Sequence, residues 1–479
     1  MGDTGDFVIK NGVLEGYKGS SPVVTVPEGV KKIGCCAFFE CMTMEQVVLP
    51  AGVTEIGIGA FERCCALRSI TVPEGVTKIE YDAFGGCSSL THISMPESLA
   101  KLGDRAFPGV SKLKYNEYGG ARYLGNEKNP FVVLVSVTDT EAESFLINEN
   151  TKIIHERAFY KCGKLKSIDI PHGVRQIGNW AFSDCAELAE VKIPASVASI
   201  GRCAFDFCPS LTRVSIPEGV TEIDSYAFDT CPRLEHISVP ESIERIGDAA
   251  FPFSSIKYSV YENGRYLGNE KNPYIAFASV IDKTVSAFTL HKNTKAVLDF
   301  AFEKCENLRS IALPEKVRRI CRRAFRHCAA LESVRLPARI SEIDESAFEY
   351  CTSLREIMLP EGELDIGSCA FSGCTSLQSM EFHGGAIRMN AFSDCTALES
   401  ITVRGNVFIE EWAFADCTAL KTVTLPRSLP PCEDAFAGCN EDKLEFNYIY
   451  NERKLYEIYF LERKRISRVP WKRLPRIFR

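Results

Sequence analysis

The chain of 479 residues has no apolar run long enough to cross a bilayer: its longest, at 131–135 and 274–279, stop after a few residues. Its first residues, MGDTGDFVIKNG, carry two acids and none of the hydrophobic stretch a signal peptide needs. Its last, RVPWKRLPRIFR, hold no membrane anchor. The expectation is a protein that works inside the cell, or the trimmed form of an exported one. Histidine is scarce and scattered, at His92, His155, His172, His236, His291, His327 and His383. There is no Cys-x-x-Cys pair, His-Glu-x-x-His, phosphate loop, nucleophile elbow or Asp-rich calcium loop. These absences point away from metal, cofactor and hydrolytic chemistry, so a non-catalytic chain without cofactors is expected.

Charge of one sign is also lacking, except at the end. The net charge is −7. Residues 451–479 hold ten Lys/Arg against three Asp/Glu, which leaves the rest of the chain at −14. An acidic body argues against nucleic acid as a partner.

What is present is repetition. Ala-Phe recurs in register at Phe38, Phe61, Phe84, Phe107, Phe159, Phe182, Phe205, Phe228, Phe251, Phe302, Phe325, Phe348, Phe371, Phe392, Phe414 and Phe436. The spacing is 23, with gaps of 52 and 51 at two places and 21 or 22 near the end. Five residues before nearly every Phe stands an aliphatic such as Ile56 or Ile200, and six after most of them a Leu such as Leu67 or Leu211. Then comes an apolar-polar-apolar-Pro run, as in Ile70-Thr71-Val72-Pro73. Alternation makes that run a short strand, and proline ends it because it has no N–H for the ladder. The stretch Val76-x-x-Ile79 suggests a second short strand, and Ala-Phe-x-x-Cys a tight helical turn.

One coil cannot bury its Phe, Ile, Leu and Cys, but stacked coils can. The predicted fold is therefore a curved, mostly β repeat solenoid of about 16–18 coils of 23 residues with short helical turns. The expected layout is an N-terminal cap (1–26), repeats (27–114), an insertion (115–150), repeats (151–257), a second insertion (258–293), repeats (294–440) and a basic C-terminal cap or tail (441–479). Fourteen of the 21 cysteines fall three residues after the Phe, Val110 and Ser254 taking the other two places. They are read as an interior ladder of small soft side chains. Rungs about 4.8 Å apart are too far for a disulfide, whose Cβ atoms want about 3.8 Å. The remaining seven, including Cys35, Cys36 and Cys432, are scattered, and so many free thiols suit a reducing environment.

The segments IPEGVTEIDSYAFDTCPRLEHISVP (216–240) and VPEGVTKIEYDAFGGCSSLTHISMP (72–96) carry a family resemblance. Over about residues 7–440 the chain resembles BspA-like leucine-rich-repeat proteins. The resemblance implies a leucine-rich-repeat solenoid of the kind found in bacterial surface or secreted proteins implicated in adhesion to host matrix proteins or other microbes.

The two insertions match: YNEYGGARYLGNEKNPFVVLVSV (115–137) and YSVYENGRYLGNEKNPYIAFASV (258–280) lie 143 residues apart. Each reads as a β-hairpin around Asn-Glu-Lys-Asn-Pro. Their tyrosines either pack against a flank or form a recognition ledge, for which Tyr118, Tyr123, Tyr261 and Tyr266 are the candidates. The outward strand positions supply another candidate surface, with Lys192, Arg213, His236, Arg335 and Glu356 as contact residues. A protein ligand is expected, on a host or microbial surface or inside the cell, bound by a monomer. The alternative is an intracellular scaffold or complex subunit using the sheet face or the basic tail, whose LEFNYIYNERKLYEIYFLERKR has helix-like spacing at Leu455, Ile458 and Tyr459.

Overall fold

The computed structural model describes residues 4–251, 255–426, 433–440 and 444–449. Two compact units divide the chain: Met1–Val260 with Tyr266–Ala276, and Tyr261–Arg265 with Phe277–Arg479, each in its described part. Both are β-solenoids, about 18 turns in all, with almost no helix.

Each coil contributes two strands to two parallel ladders, because a repeat of fixed length sets every strand beside its own copy. In the first unit, Gln46–Val48, Ser69–Thr71 and His92–Ser94 pair in register. So do the two-residue strands Lys32–Ile33, Glu55–Ile56, Lys78–Ile79 and Lys101–Leu102. After the first insertion both ladders restart, with Ser167–Asp169, Glu190–Lys192, Arg213–Ser215 and His236–Ser238 forming one of them. In the second unit the same arrangement runs through Ser310–Ala312, Ser333–Arg335 and Glu356–Ile357. A last strand, Glu445–Ile449, pairs with Thr422–Pro426. The tail beyond it lies outside the described residues.

The core is a set of columns. Ile56, Phe61, Cys64 and Leu67, and their copies Ile200, Phe205, Cys208 and Leu211, are fully buried. The phenyl rings stack: Phe38, Phe61 and Phe84 lie 5.0 and 5.4 Å apart and within 6° of parallel. Phe302, Phe325 and Phe348 repeat this at 4.7 and 5.0 Å. Cysteine joins the column as a donor. The Sγ of Cys64 donates to the Phe38 carbonyl at 3.0 Å, and Cys87 does the same to Phe61 at 3.1 Å. Burial pushes the Cys87 and Cys162 thiols up to about 12 and Cys305 to about 11, keeping the S–H on the sulfur. The described cysteines are all free thiols.

The segment expected as a helical turn is not one. Around Phe61, alternate amides point in alternate directions. Ala60, Glu62 and Cys64 donate within the coil to Gly57, Gly59 and Phe61, while Gly59, Phe61 and Arg63 donate to Tyr81, Ala83 and Gly85 of the next coil. A helix would keep all of these bonds inside the segment. Stacking draws half of them out, and two residues per coil, at Phe−2 and Phe+2, take left-handed backbone. Gly59 (φ 57°) and Arg63 (φ 58°) do so here, as do Trp180 (φ 52°) and Asp184 (φ 61°) around Phe182.

The first insertion folds as three antiparallel strands, Asn116–Tyr118, Ala121–Leu124 and Val133–Val137. Gly119 and Gly120, both at positive φ, make the tight turn. Val133–Val137 then runs parallel to Ile153–Ile154 and opens the new ladder. The Asn-Glu-Lys-Asn turn is a clamp: Asn126 Oδ1 accepts from the amides of Lys128 and Asn129, while its Nδ2 donates to Met95 O at 2.9 Å. In the second copy, Asn269 makes the equivalent bonds to Lys271, Asn272 and Val239. Across the break between the two runs of the first unit, the buried Gln176 amide acts as a missing strand. Its Oε1 accepts from Leu102 N at 2.8 Å and its Nε2 donates to Leu102 O at 3.1 Å.

Candidate recognition surface

The sheet positions singled out in the sequence are exposed. In the first unit, Lys192, Arg213 and His236 sit on three adjacent strands, with Arg213 directly between Glu190 and His236, and Lys192 beside Asp169. In the second unit, Glu356 is paired with Ser333, which places Arg335 diagonally across from it. Among the described residues, Lys192, Arg213, Arg335 and Glu356 join no ion pair. Their charges are solvated, and the row offers polar atoms but little apolar area.

The insertion tyrosines divide. Tyr123 and Tyr266 are fully buried, which removes them from any contact surface. Tyr123 packs edge-on against Phe131 and accepts a hydrogen bond from Asn148 N at 3.3 Å, and Tyr266 meets Tyr274 edge-on. Alternation within Ala121–Leu124, and within Gly264–Leu267 of the second copy, puts these rings inside. Tyr118 is 38% exposed, with its ring 5.5 Å from Phe131. Tyr261 is half-buried, edge-on to His291.

A second surface was not singled out in the sequence. Most left-handed residues of the turns reach the surface, and at or beside them the chain places aromatics and cations. In the first unit, the Arg157 guanidinium lies 5.0 Å from the Trp180 ring centre and 5.9 Å from that of Tyr160. Lys161 lies 5.2 Å from Tyr160, and Arg202 is 5.5 Å from Tyr226. Phe207, at φ 53°, is 51% exposed. Earlier in the same unit, Arg63 lies over Phe39 and Arg105 over Tyr81. In the second unit, Arg322 and Arg323 flank Phe300, and His327 stacks on Tyr350 at 4.9 Å.

Large side chains in left-handed backbone cost about 1–2 kcal/mol each, which glycine avoids. Trp180, Phe207, Tyr226, Phe300 and Trp412 all stand in that conformation. Writing the repeats in register and scanning the columns around the Phe would have revealed this concentration. Beside it runs an acidic row, in which burial, then Asp229 and Asp184, push the Asp206 carboxyl up to about 6. Among the described residues, no helix is long and apolar enough to cross a membrane.

A leucine-rich-repeat protein from Bacteroides ovatus ATCC 8483 is 25% identical over 93% of this chain and 97% of its own, at a TM-score of 0.31. A leucine-rich cell surface protein from Faecalibacterium prausnitzii A2-165 is 26% identical over 84% and 94%, at 0.29. The Treponema pallidum leucine-rich-repeat protein is 21% identical over 55% and 91%, at 0.23. No curated protein matches the chain. The family model described as a BspA type leucine-rich-repeat region matches residues 11–124, 138–261, 274–395 and 385–469. With its stacked Phe, Cys, Ile and Leu columns and this match over most of its length, the chain belongs to the BspA-type leucine-rich-repeat family.

Proposed function

We propose that this chain is a non-catalytic, protein-binding solenoid that works in adhesion or ligand recognition. Its contact surface is the turn face of the first unit, centred on Arg157, Tyr160, Trp180, Arg202 and Tyr226. One observation carries the reading: Trp, Tyr and Arg, the residues that dominate binding energy at protein interfaces, are gathered side by side at the surface of a repeating scaffold, Arg157 and Arg202 exposed and Tyr160, Trp180 and Tyr226 half-buried. The scaffold is ordered in advance by its own hydrogen bonds, so little entropy is lost when a partner settles on it. Lys192, Arg213 and His236 on the sheet, with Arg335 and Glu356 in the second unit, act as the polar surroundings that favour one partner over another.

The test is saturable binding of the labelled full chain to a panel of extracellular-matrix and microbial surface proteins. The double variant Trp180→Ala/Tyr226→Ala is expected to weaken that binding at least roughly thirtyfold, the loss of about 2 kcal/mol typical of anchor residues. Lys192→Ala/Arg213→Ala is expected to change it only a few-fold. Absence of saturable binding across the panel, or the reverse order of effects, contradicts the proposal.

A further inference from the structure

Along the turns of the first unit, aromatic rings come with cations of their own. Arg63 lies over Phe39, Arg105 over Tyr81, Arg157 over Trp180, Lys161 over Tyr160 and Arg202 over Tyr226. Phe207 breaks the pattern. Its ring is 51% exposed, and among the described residues no cation lies over it. Left-handed backbone, here at φ 53°, disfavours a large side chain, so neither packing nor turn geometry explains a phenylalanine at this place.

Acids surround it instead. Asp206 precedes it in the chain, and Asp184 holds the same repeat position one coil earlier. Asp229 lies one coil later, its carbonyl accepting the Phe207 amide at 3.2 Å. All three are half-buried, and among the described residues none joins an ion pair. Elsewhere in this unit acids meet cations one coil away, as Glu40 meets Arg63, Glu187 meets Lys164 and Glu222 meets Arg245. The three aspartates act on one another: burial, then Asp229 and Asp184, raise Asp206, and only the Phe207 amide offsets them. The Oδ1 of Asp206 has no hydrogen-bond partner. Coils stacked about 4.8 Å apart thus hold a short row of charge that no cation of the chain neutralises.

A ring face and a carboxylate favour the same ligand. The π cloud attracts a cation, and carboxylates add charge and acceptors for its N–H groups. An anion is repelled by the row, and a neutral apolar group would leave the carboxylates desolvated and unpaired. Among the described residues, these three carboxylates do not converge as the ligands of a metal ion would. What fits is an organic cation with reach.

We propose that Phe207, with Asp184, Asp206 and Asp229, seats a lysine or arginine side chain of the protein partner over its open ring face. The inference builds on the protein-binding reading and names the chemistry the partner brings to these turns.

Fluorescence anisotropy of labelled hexalysine with the full chain tests this in about 0.15 M salt, where distant charge is screened beyond roughly 8 Å. Saturable binding is expected, at least roughly tenfold tighter than that of the same peptide with every lysine acetylated. Phe207→Leu keeps an apolar side chain and removes the π face, so roughly threefold weaker binding is expected. Asp206→Asn should cost a similar factor. Glu28→Gln removes the same charge from an exposed site in a distant coil and should cost nothing. The proposal is overturned by absence of saturable binding, or by equal binding of the acetylated peptide. It is equally overturned if Phe207→Leu binds as tightly as wild type, or if Glu28→Gln loses as much as Asp206→Asn. A protein panel without a binder contradicts the protein-binding reading, whereas hexalysine that fails to bind contradicts the Phe207 seat alone.

Discussion

The thiol of Cys351 donates to the carbonyl of Phe325 at 3.1 Å, and that oxygen also accepts the Cys328 amide at 3.1 Å. One carbonyl thus ties its own coil to the next, using both lone pairs. Serial repetition of this bond explains why the third residue after Phe is so often cysteine, a side chain that is small, apolar and a weak donor. Cys351→Ala removes the donor and leaves a small void, so it should destabilise the chain by about 1–2 kcal/mol. Cys351→Val, which copies the natural Val110, should cost less. Urea midpoints of the full chain decide between these outcomes.

Thiol reactivity should follow burial. Cys35 and Cys36 are exposed, whereas Cys87, Cys185 and Cys374 are buried and protonated, their thiols raised by desolvation. Labelling of the native chain with an aromatic disulfide should mark Cys35 and Cys36 first and reach the ladder only on unfolding. Mass mapping that found ladder cysteines modified in the folded chain would show an open stack.

The Gln176 amide holds the open edge of Lys101–Leu102. Gln176→Leu leaves a buried N–H and C=O unpaired, at a cost of about 2–4 kcal/mol. Hydrogen exchange at the Leu102 amide should accelerate in the variant while Ile56 and Ile200 stay protected.

At Phe207 the backbone is left-handed and the ring exposed, so the turn itself sets the preference there. Phe207→Val puts a β-branched residue into that conformation and should be less stable than Phe207→Gly by about 1–2 kcal/mol. Thermal unfolding of the pair gives the difference.

Acid should distinguish wild type from His155→Leu. The folded His155 lies at about 4 and the unfolded near 6.5, so between those pH values the unfolded chain binds more protons. Its contribution is present above pH 6.5 and is lost as pH falls towards 4. The shift is worth about 3 kcal/mol at most. Asp104, pushed up to about 6 by burial and Glu156, works in the opposite sense. It is common to both proteins and cancels to first order in the comparison. The stability advantage of His155→Leu over wild type should therefore grow from pH 7 to pH 4; a constant difference would mean that His155 is solvated.

The columns were legible because stacking forces equal residues into equal environments. Sixteen copies of Phe, with Ile, Leu and Cys at fixed offsets, leave one economical way to bury them, and the Asn-Glu-Lys-Asn-Pro turns were equally plain. The turn geometry was hidden. Local preference in Ala-Phe-x-x-Cys favours a helical turn, and only hydrogen bonds to the neighbouring coil, as from Phe61 to Ala83, overrule it. The same geometry aims Trp180 and Tyr226 outward, so the aromatic face could not be read from strand alternation. Tyr123 and Tyr266 were equivocal for the opposite reason: each lies on a middle strand of its insertion, whose inner face carries large rings.

Hydroxyl-radical footprinting of the full chain, free and bound to a partner identified by the panel, compares the two faces of the first unit in one measurement. Oxidation of Tyr160, Trp180 and Tyr226 should fall sharply on binding while that of His236 stays unchanged. Protection of His236 with the three aromatics still fully reactive would place the partner on the sheet and contradict the account.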